Sequence, residues 1–265
     1  MPPYVPVNVA PTLRTAETKD VPRIAAVIIS AMDFSPHWTS RYPYRKQFPD
    51  VHRHQTEERI ADYVKKSKDG ICVALVSEVE IEVEVEVEPN APTTENLLLK
   101  GGAKDKRRKE KQHIKEIVGV AIAQLPGTFV EPMTRVIKRT VSEGKEGEEK
   151  GKDTAQQNAP SPPFRADGHL ERAKAFGAEF GPAKKRYFDV PYGNNQLYID
   201  FMAVDPSYHR RGIATQLMEW MLELAKREAD AKAVTLFSSP MGMGLYKKVG
   251  FEEVGCVTVK LDGDW

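Results

Sequence analysis

Residues 196–255 limit the folds open to this chain more than any other stretch. The strand-like segment LYIDFMAV leads through DPSYHRRGIAT into a long amphipathic helix. This order of strand, basic glycine-containing turn and helix favours the binding of an anion at the start of the helix. Free backbone N–H groups and the positive end of the helix dipole lie together there. Arg210 and Arg211 add positive charge there. The stretch therefore predicts a ligand that carries phosphates.

The turn lacks the signatures of the common nucleotide loops. A Walker loop ends in Gly-Lys-Ser/Thr and a dinucleotide fingerprint has three spaced glycines, whereas only Gly212 lies between Asp205 and the helix. The turn instead resembles the coenzyme A loop of the GNAT N-acetyltransferases, whose pattern is Gln/Arg-x-x-Gly-x-Gly/Ala. HRRGIA occupies that pattern at residues 209–214, with His209 where the family usually has Gln or Arg. Taken alone, the turn also fits a basic surface loop before an ordinary helix.

The end of the chain carries a second part of the same resemblance. After a strand-like AVTLFSS, the segment PMGMGLYKKVGFEEVG is similar to the GNAT ending, in which a short helix carries Leu-Tyr and a Gly-Phe begins the last strands. These positions are Leu245, Tyr246, Gly250 and Phe251. The two motifs in order make the chain similar to the GNAT superfamily, and FSPHW with YPYRKQFPD looks like a fungal GNAT-like subgroup.

The resemblance implies the fold class. We expect an α/β (α+β) protein with the GNAT fold: a central mixed, mostly antiparallel, V-splayed sheet flanked by helices, with charged insertions. One N-acetyltransferase domain is expected over residues 10–265. Within it, hydrophobic periodicity predicts a strand at 13–15, helices at 20–32 and 57–66, and a buried strand at 70–77.

Two segments interrupt the domain. Residues 78–112 contain SEVEIEVEVEVE and the later basic run KDKRRKEKQ. Either a long hairpin arm pairs the acidic and basic runs across two strands, or the segment is a solvated insertion. Residues 138–167 are rich in Gly, Glu, Lys, Ser and Pro and are expected to be a disordered insertion. The following segment predicts a helix up to Gly181, with Leu170 and Phe176 facing inward.

Composition narrows the function little. The chain has 265 residues with a formal net charge of +1, so its overall charge does not favour binding to nucleic acid. No segment has the roughly 20 apolar residues that span a bilayer. We expect a cytoplasmic protein, with a nuclear location as the alternative because of the basic run. Cys72 and Cys256 lie far apart in apolar runs and are interpreted as core residues. No metal is expected, and the oligomeric state is not indicated.

The resemblance implies acetyl-CoA as co-substrate. Main-chain groups of Met202, Ala203 and Val204 would pair with the pantetheine arm where the fourth and fifth strands splay. The loop would hold the pyrophosphate, and Ser239 stands where many relatives have an asparagine. The loop residues are His209, Arg210, Arg211, Gly212, Ile213, Ala214 and Thr215.

Acetyl transfer to an amine needs a neutral nitrogen and a proton for the departing thiolate. Tyr246 matches the motif tyrosine that lies near the coenzyme A sulfur in many GNAT enzymes, and it is the candidate general acid. Asp200 lies in an apolar strand, where a carboxyl group costs free energy unless it is paired or functional. It is the candidate general base, with a structural salt bridge as the alternative. Period-two alternation predicts that Asp200, Met202 and Val204 share one face.

The acceptor is the least determined part. Phe34, Trp38 and Tyr44 lie in an aromatic, basic and proline-rich segment after the first helix, which is expected to be too irregular for a simple core element. The three residues are candidates to line an amine pocket, or else to pack under a loop. The predicted function is an acetyl-CoA-dependent N-acetyltransferase that acts directly on a primary amine of a small molecule. The alternatives are a protein lysine or N-terminal acetyltransferase and a non-catalytic acyl-CoA-binding module.

Overall fold

A five-stranded sheet forms the centre of the computed structural model, which describes residues 11–87, 108–128, 165–228 and 231–260. The strand order is β1-β2-β3-β4-β5. Neighbours are antiparallel from β1 to β4, and β5 runs parallel to β4. The strands are β1 Thr12–Thr15, β2 Cys72–Val87, β3 Arg108–Gln124, β4 Gln196–Val204 and β5 Ala233–Leu236. The mixed, mostly antiparallel sheet predicted from the sequence is confirmed.

Helices cover both faces of this sheet. They are α1 Val21–Met32, α2 Pro36–Arg41, α3 Pro49–Lys68, α4 Leu170–Lys184, α5 Val190–Tyr192, α6 Ile213–Arg227 and α7 Met243–Lys248. The buried stripes of α1 and α3 pack with one face of the sheet, and that of α6 packs with the other. None of the helices in the described ranges is long and apolar enough to cross a membrane.

The α6 side of the sheet is packed closely at the start of the helix. A Cβ added to Gly119 on β3 would lie 2.8 Å from Ile213 Cγ2, so the glycine permits the close approach of this first residue of α6. Leu217, Met218 and Met221 continue the buried stripe. Burying such side chains stabilises a fold by about 1.5–3 kcal/mol each. This packing fixes where α6 begins relative to the sheet.

The pairing of β4 changes along its length. Its contact with β5 runs from Gln196↔Ala233 to Ile199↔Leu236 and stops there. On the other edge, Ile122 of β3 pairs with Phe201, while Ala123 pairs with Ile199. Asp200 is therefore the extra residue of a β-bulge. The bulge lies where β4 and β5 part, so residues 200–204 continue as a strand beside β3 alone.

The charged segment extends β2 and β3 beyond the sheet. Pairing continues to Val87↔Arg108, and Glu80 lies opposite Lys115. Lys111 donates to Glu82 across the strands at 2.7 Å. The alternate aliphatic side chains face the other way, and Ile81 is buried in the α6-side core. In the described residues this segment is thus paired strand, with one charged and one apolar face, while residues 88–107 lie outside the described ranges.

Several element predictions need correction. The segment expected to be irregular forms α2 and the start of α3, which begins well before residue 57. Helix α4 continues past Gly181 to Lys184 and into a π-helical turn at Lys185–Asp189, and Leu170 is exposed. Residues 251–260 form no strand, although strands were expected after Phe251. Cys72 is buried as expected, but Cys256 is exposed.

Candidate active site

The turn after β4 has the geometry of an anion site. Arg210 has φ +61° and Gly212 has φ +80°, so the chain passes twice through the left-handed region before α6 begins at Ile213. No described side chain caps this helix, and its first turn holds no acidic residue. The first N–H groups of α6 and the positive end of its dipole are therefore available to a ligand. The side chains of Arg210 and Arg211 are exposed beside them.

The base of this turn is fixed by contacts to three other elements. The carboxylate of Asp205 accepts a hydrogen bond from the backbone N–H of Ser207. It also forms an ion pair with Arg23 of α1, at 2.9 Å. Its own N–H donates to Val118 of β3. The ring of His209 folds back so that Nε2 donates to the carbonyl of Val204 at 3.0 Å. His209 thus supports the loop from within, and its departure from the usual Gln or Arg leaves the main-chain geometry intact.

The free edge of β4 leads directly into this turn. Met202, Ala203 and Val204 pair with β3 on one side, and β5 pairs with neither these residues nor Asp200. Main-chain groups on such an edge can bind an extended ligand as a further strand would. Among the described residues, the predicted splay and the predicted loop are therefore continuous in space as well as in sequence.

Tyr246 lies on α7, against the α6-side core. Its ring packs edge-on against Phe251 at 5.7 Å, and a Cβ added to Gly242 would lie 2.8 Å from Tyr246 Cε2. Burial raises the pKa of Tyr246 to about 12. The phenol therefore stays protonated at neutral pH and is able to donate a proton. Ser239 lies in the turn before α7, where its carbonyl accepts from the N–H of Gly242.

Asp200 faces the opposite side of the sheet, among polar groups of α3 and β3. Gln124 Nε2 donates to Asp200 Oδ2 at 2.7 Å, Tyr63 also bonds to the carboxyl group, and the guanidinium of Arg59 lies nearby. Burial raises the pKa of Asp200, and these partners oppose the rise. Asp200 is therefore a half-buried carboxyl group held by the neutral donors Gln124 and Tyr63, with the cations Arg59 and Lys184 nearby.

The prediction that Asp200 shares a face with Met202 and Val204 is wrong. Met202 and Val204 pack in the α6-side core, whereas Phe201 and Asp200 contact α3. A β-bulge adds one residue to one strand and so breaks the period-two alternation. Tyr246 and Asp200 consequently approach the splay from opposite faces of the sheet.

A cavity of about 1130 Å³ lies beside β5, between α2, α4 and the segment after α7. Its wall includes Tyr246 and a row of phenylalanine rings, in which Phe176 stacks on Phe180 at 3.8 Å and Phe180 contacts Phe237 at 4.6 Å. Arg41 closes one end of the row, with its guanidinium carbon 4.1 Å from the centre of the Phe176 ring. The cavity therefore offers an aromatic wall, the phenol of α7 and three basic side chains, Arg41, Arg172 and Lys247.

The three aromatic residues predicted to bind substrate do not line this cavity. Phe34 and Tyr44 are exposed, whereas Trp38 is buried against Tyr42, with ring centres 4.9 Å apart. Their neighbours on α2, including Arg41, line the cavity instead. The assignment of Phe34, Trp38 and Tyr44 to an acceptor pocket stays a prediction.

Sequence reasoning missed a buried ion cluster near α2. His52 Nδ1 lies 2.6 Å from Asp167 Oδ2, and Arg165 pairs with the same carboxylate. Asp167 is fully buried, although it ends the segment expected to be disordered; residues 138–164 of that segment lie outside the described ranges. The ring of His52 packs against Trp38, and burial lowers its pKa. The cluster joins residue 167 to α3 and supports the back of α2.

Metal ligands are also absent from the described part of the chain: no group of three or more His, Cys, Asp or Glu side chains is placed to hold a metal ion. Burial raises the pKa of Cys72 to about 11, so its thiol is largely protonated at neutral pH. The chemistry available in the described residues is therefore that of the phenol, the half-buried carboxyl group and the main-chain donors.

Comparison with known proteins agrees with this geometry. Residues 177–253 match the family model described as an acetyltransferase (GNAT) domain. A curated acetyltransferase from the fungus Stachybotrys chartarum is 30% identical over 103 residues, which are 39% of this chain and 42% of that protein. The match thus spans less than half of the fungal relative's length.

Solved structures of acetyltransferases are similar to this chain at low sequence identity. A mosquito arylalkylamine N-acetyltransferase like 5b is 15% identical, covers 93% of this chain and 85% of its own, and has a TM-score of 0.50. The PaiA N-acetyltransferase from Thermoplasma acidophilum, solved with coenzyme A, is 8% identical, with coverages of 92% and 91% and a TM-score of 0.43. The chain has the acetyltransferase fold. Its sequence similarity to acetyltransferase (GNAT) domains lies in residues 177–253.

Proposed function

We propose that the protein is an acetyl-CoA-dependent N-acetyltransferase that transfers acetyl directly to the primary amine of a small molecule. One observation carries the proposal: the free edge of β4 at residues 200–204 runs straight into the left-handed turn and the uncapped start of α6. A site for an extended arm therefore adjoins a site for a diphosphate. Coenzyme A has these two parts in the same order.

The cofactor would be held mostly by main-chain groups. The pantetheine arm would pair with Met202, Ala203 and Val204, and the pyrophosphate would receive N–H groups from Gly212 to Thr215 at the start of α6. The exposed Arg210 and Arg211 would add positive charge at the rim. Ser239, in the turn before α7, remains a candidate contact to the arm. When bound, acetyl-CoA supplies the thioester that the amine attacks.

Tyr246 is the proposed general acid. Its raised pKa, to about 12, keeps the hydroxyl protonated, as protonation of a departing thiolate requires. Direct attack by the amine needs no covalent intermediate on the protein. Of the two cysteines, Cys72 is buried with a raised pKa and Cys256 is exposed. Cys72 therefore lacks the low pKa of a nucleophilic thiol next to a base.

Asp200 is the proposed general base. Its raised pKa makes the carboxylate a stronger base than an exposed aspartate, and its position in the bulge puts it where β4 and β5 part. The carboxyl group does not line the cavity beside β5, so proton transfer from the amine would pass through an intervening water or polar side chain. Its bonds to Gln124 and Tyr63 would fix its orientation.

The acceptor is proposed to be a small molecule because the cavity that contains Tyr246 is a recess lined by side chains of α2, α4, β5 and α7. Its aromatic row favours an acceptor with an apolar body. The solved mosquito relative is named for arylalkylamines, which fits such an acceptor class. Action in the cytoplasm, without membrane or nucleic acid partners, stays a prediction, with a nuclear location as the alternative.

The proposal is tested by measuring free thiol release from acetyl-CoA with panels of small amines and of lysine-bearing peptides. We expect release with at least one small amine and none with peptides. A parallel calorimetric titration with coenzyme A measures binding alone. Binding without turnover on any acceptor would point to a non-catalytic module, and turnover confined to peptides would point to a protein acetyltransferase. Absence of coenzyme A binding would overturn the proposal.

A further inference from the structure

Arg41 is an unusual residue for the wall of an aromatic cavity. Its guanidinium lies over the rings of Phe176, Tyr42 and Trp38, at 4.1, 5.4 and 5.8 Å from the ring centres. Its Nε donates to the carbonyl of His37 at 3.2 Å. Stacking on rings orients a guanidinium while leaving the edge with its N–H donors able to bond elsewhere.

The charge of Arg41 has no acidic partner among the residues that the structure describes. Every carboxylate ion pair there involves another cation, and the charged groups that act on Arg41 are the guanidinium groups of Arg59 and Arg165. An arginine stays protonated at physiological pH even when partly buried. Arg41 is half-buried, and a cation in such a position near like charges costs free energy unless a ligand or partner supplies a negative charge.

The contacts run from Arg41 to Tyr246 in an unbroken series. Arg41 covers Phe176, Phe176 stacks on Phe180, and Phe180 contacts Phe237. The next residue, Ser238, lies with Tyr246 around Gly242, because a Cβ added to that glycine would meet both side chains within 3.1 Å. The cation and the proposed proton donor therefore lie at opposite ends of the aromatic row.

We propose that the acceptor is a primary alkyl amine with an aromatic body and a carboxylate at the end remote from the amine. Arg41 binds this carboxylate. The inference rests on the proposed function, because it takes the amine to lie beside Tyr246. The aromatic body packs along the phenylalanine row, and the carboxylate receives N–H groups from the guanidinium. Arg41 is thus the residue that sets specificity, and bidentate Arg–carboxylate pairs are among the strongest polar contacts.

Three probes test this assignment: 4-(2-aminoethyl)benzoate, the amide of the same size 4-(2-aminoethyl)benzamide, and the smaller 2-phenylethylamine, which lacks the carboxylate altogether. Binding is measured by calorimetry without acetyl-CoA, and turnover is measured by thiol release. We expect the benzoate to bind the wild-type protein at least about tenfold more tightly than either probe without a carboxylate. In Arg41→Gln this preference disappears, and in Arg41→Lys it is retained in part because the charge remains.

Lys247→Gln is the matched control, because Lys247 lines the same cavity next to Tyr246 and pairs with Glu253 at 3.7 Å. We expect it to keep the preference for the benzoate. Equal binding of the three probes by the wild type would overturn the proposal, and so would a preference that survives Arg41→Gln or disappears in Lys247→Gln. Thermal unfolding of each variant verifies that it is folded, and Arg41→Lys supplies the test if Arg41→Gln does not fold.

Binding and turnover separate this proposal from the general one. If the benzoate binds through Arg41 but neither it nor any amine of the panel releases thiol, the specificity assignment stands and the proposed function fails. If thiol is released from neutral amines as fast as from the benzoate, at equal KM, the function stands and the role of Arg41 fails.

Discussion

The cofactor side and the acceptor side of the proposed site are built in different ways. On the cofactor side, a continuous stretch from β4 to α6 presents main-chain groups, and its side chains mainly support the turn from within, as His209 does. On the acceptor side, the wall is made of side chains from α2, α4, β5 and α7. Main-chain recognition is local and tolerates changes of side chain, whereas a side-chain pocket depends on how distant segments meet.

The two sides also differ in charge. The start of α6 carries exposed arginines and a helix dipole, which suit a highly charged diphosphate. The cavity is largely apolar, and Arg41 lies at one end of it against Phe176. A single substitution should therefore be able to affect one side and leave the other unchanged.

Tyr246→Phe should have the largest effect. It removes the hydroxyl proposed to protonate the thiolate and leaves the ring that packs on Phe251. We expect kcat to fall by about 10³-fold, within the range for a lost general acid, with acetyl-CoA affinity unchanged. Steady-state thiol release and calorimetry measure the two quantities. Tyr192→Phe, on the same cavity wall, is the control and should keep kcat; an unchanged kcat in Tyr246→Phe would remove the tyrosine from the mechanism.

Asp200→Asn should have the next largest effect, and its signature is the pH profile. A base acts when deprotonated, so kcat/KM of the wild type should rise with pH through the raised pKa of Asp200. The variant should lose this rise and about 10²-fold of kcat/KM. A folded variant that keeps the wild-type profile would show that Asp200 is structural.

The same pKa shift has a consequence for stability. Because the folded-state pKa of Asp200 is raised, its protonated form favours folding below the ordinary pKa of an aspartate, and this contribution is lost as pH rises through the raised value. Asp200→Asn should remove that component from the pH dependence of the free energy of unfolding. Denaturant unfolding between acid and neutral pH measures it.

Gly212→Ala should have a smaller effect, confined to the cofactor side. Its φ of +80° costs a residue with a side chain about 1–2 kcal/mol, which should distort the turn and weaken acetyl-CoA binding by about tenfold. Gly127→Ala is the control, because Gly127 has φ +75° and open space around it, away from the site. It should lower stability without changing affinity. Equal affinity losses in both variants would show that the effect is global.

Main-chain features of the site were easier to predict from the sequence than features that depend on contacts between distant segments. The turn at residues 205–212 and the start of α6 were predictable because a local sequence fixes local main-chain geometry. The face of the sheet on which Asp200 lies was not predictable. No residue in the apolar strand indicates a bulge, because the bulge depends on how β4 pairs with β3. Arg59 and Tyr63, which lie near Asp200, come from α3, whose buried positions include the polar residues His52 and Thr56, so that the helix lacks a clear apolar stripe.

The acceptor side was harder to predict for a further reason. Pro36 and Pro49 made the segment after α1 read as irregular, but both lie in the first turn of a helix, where proline is well accommodated. Arg41 was therefore not recognised as a helical residue facing a cavity. The strands expected after Phe251 did not form in residues 251–260, many of which line the cavity instead.

Amide hydrogen exchange with and without coenzyme A tests the central claim most directly, because the claim concerns main-chain groups. Binding of the pyrophosphate at the start of α6 and of the arm along the free edge of β4 should slow exchange at residues 212–215 and 200–204. The amides of α2, on the acceptor side, should be unaffected. Bound coenzyme A that leaves residues 212–215 unprotected, or that protects only the cavity wall, would contradict the account.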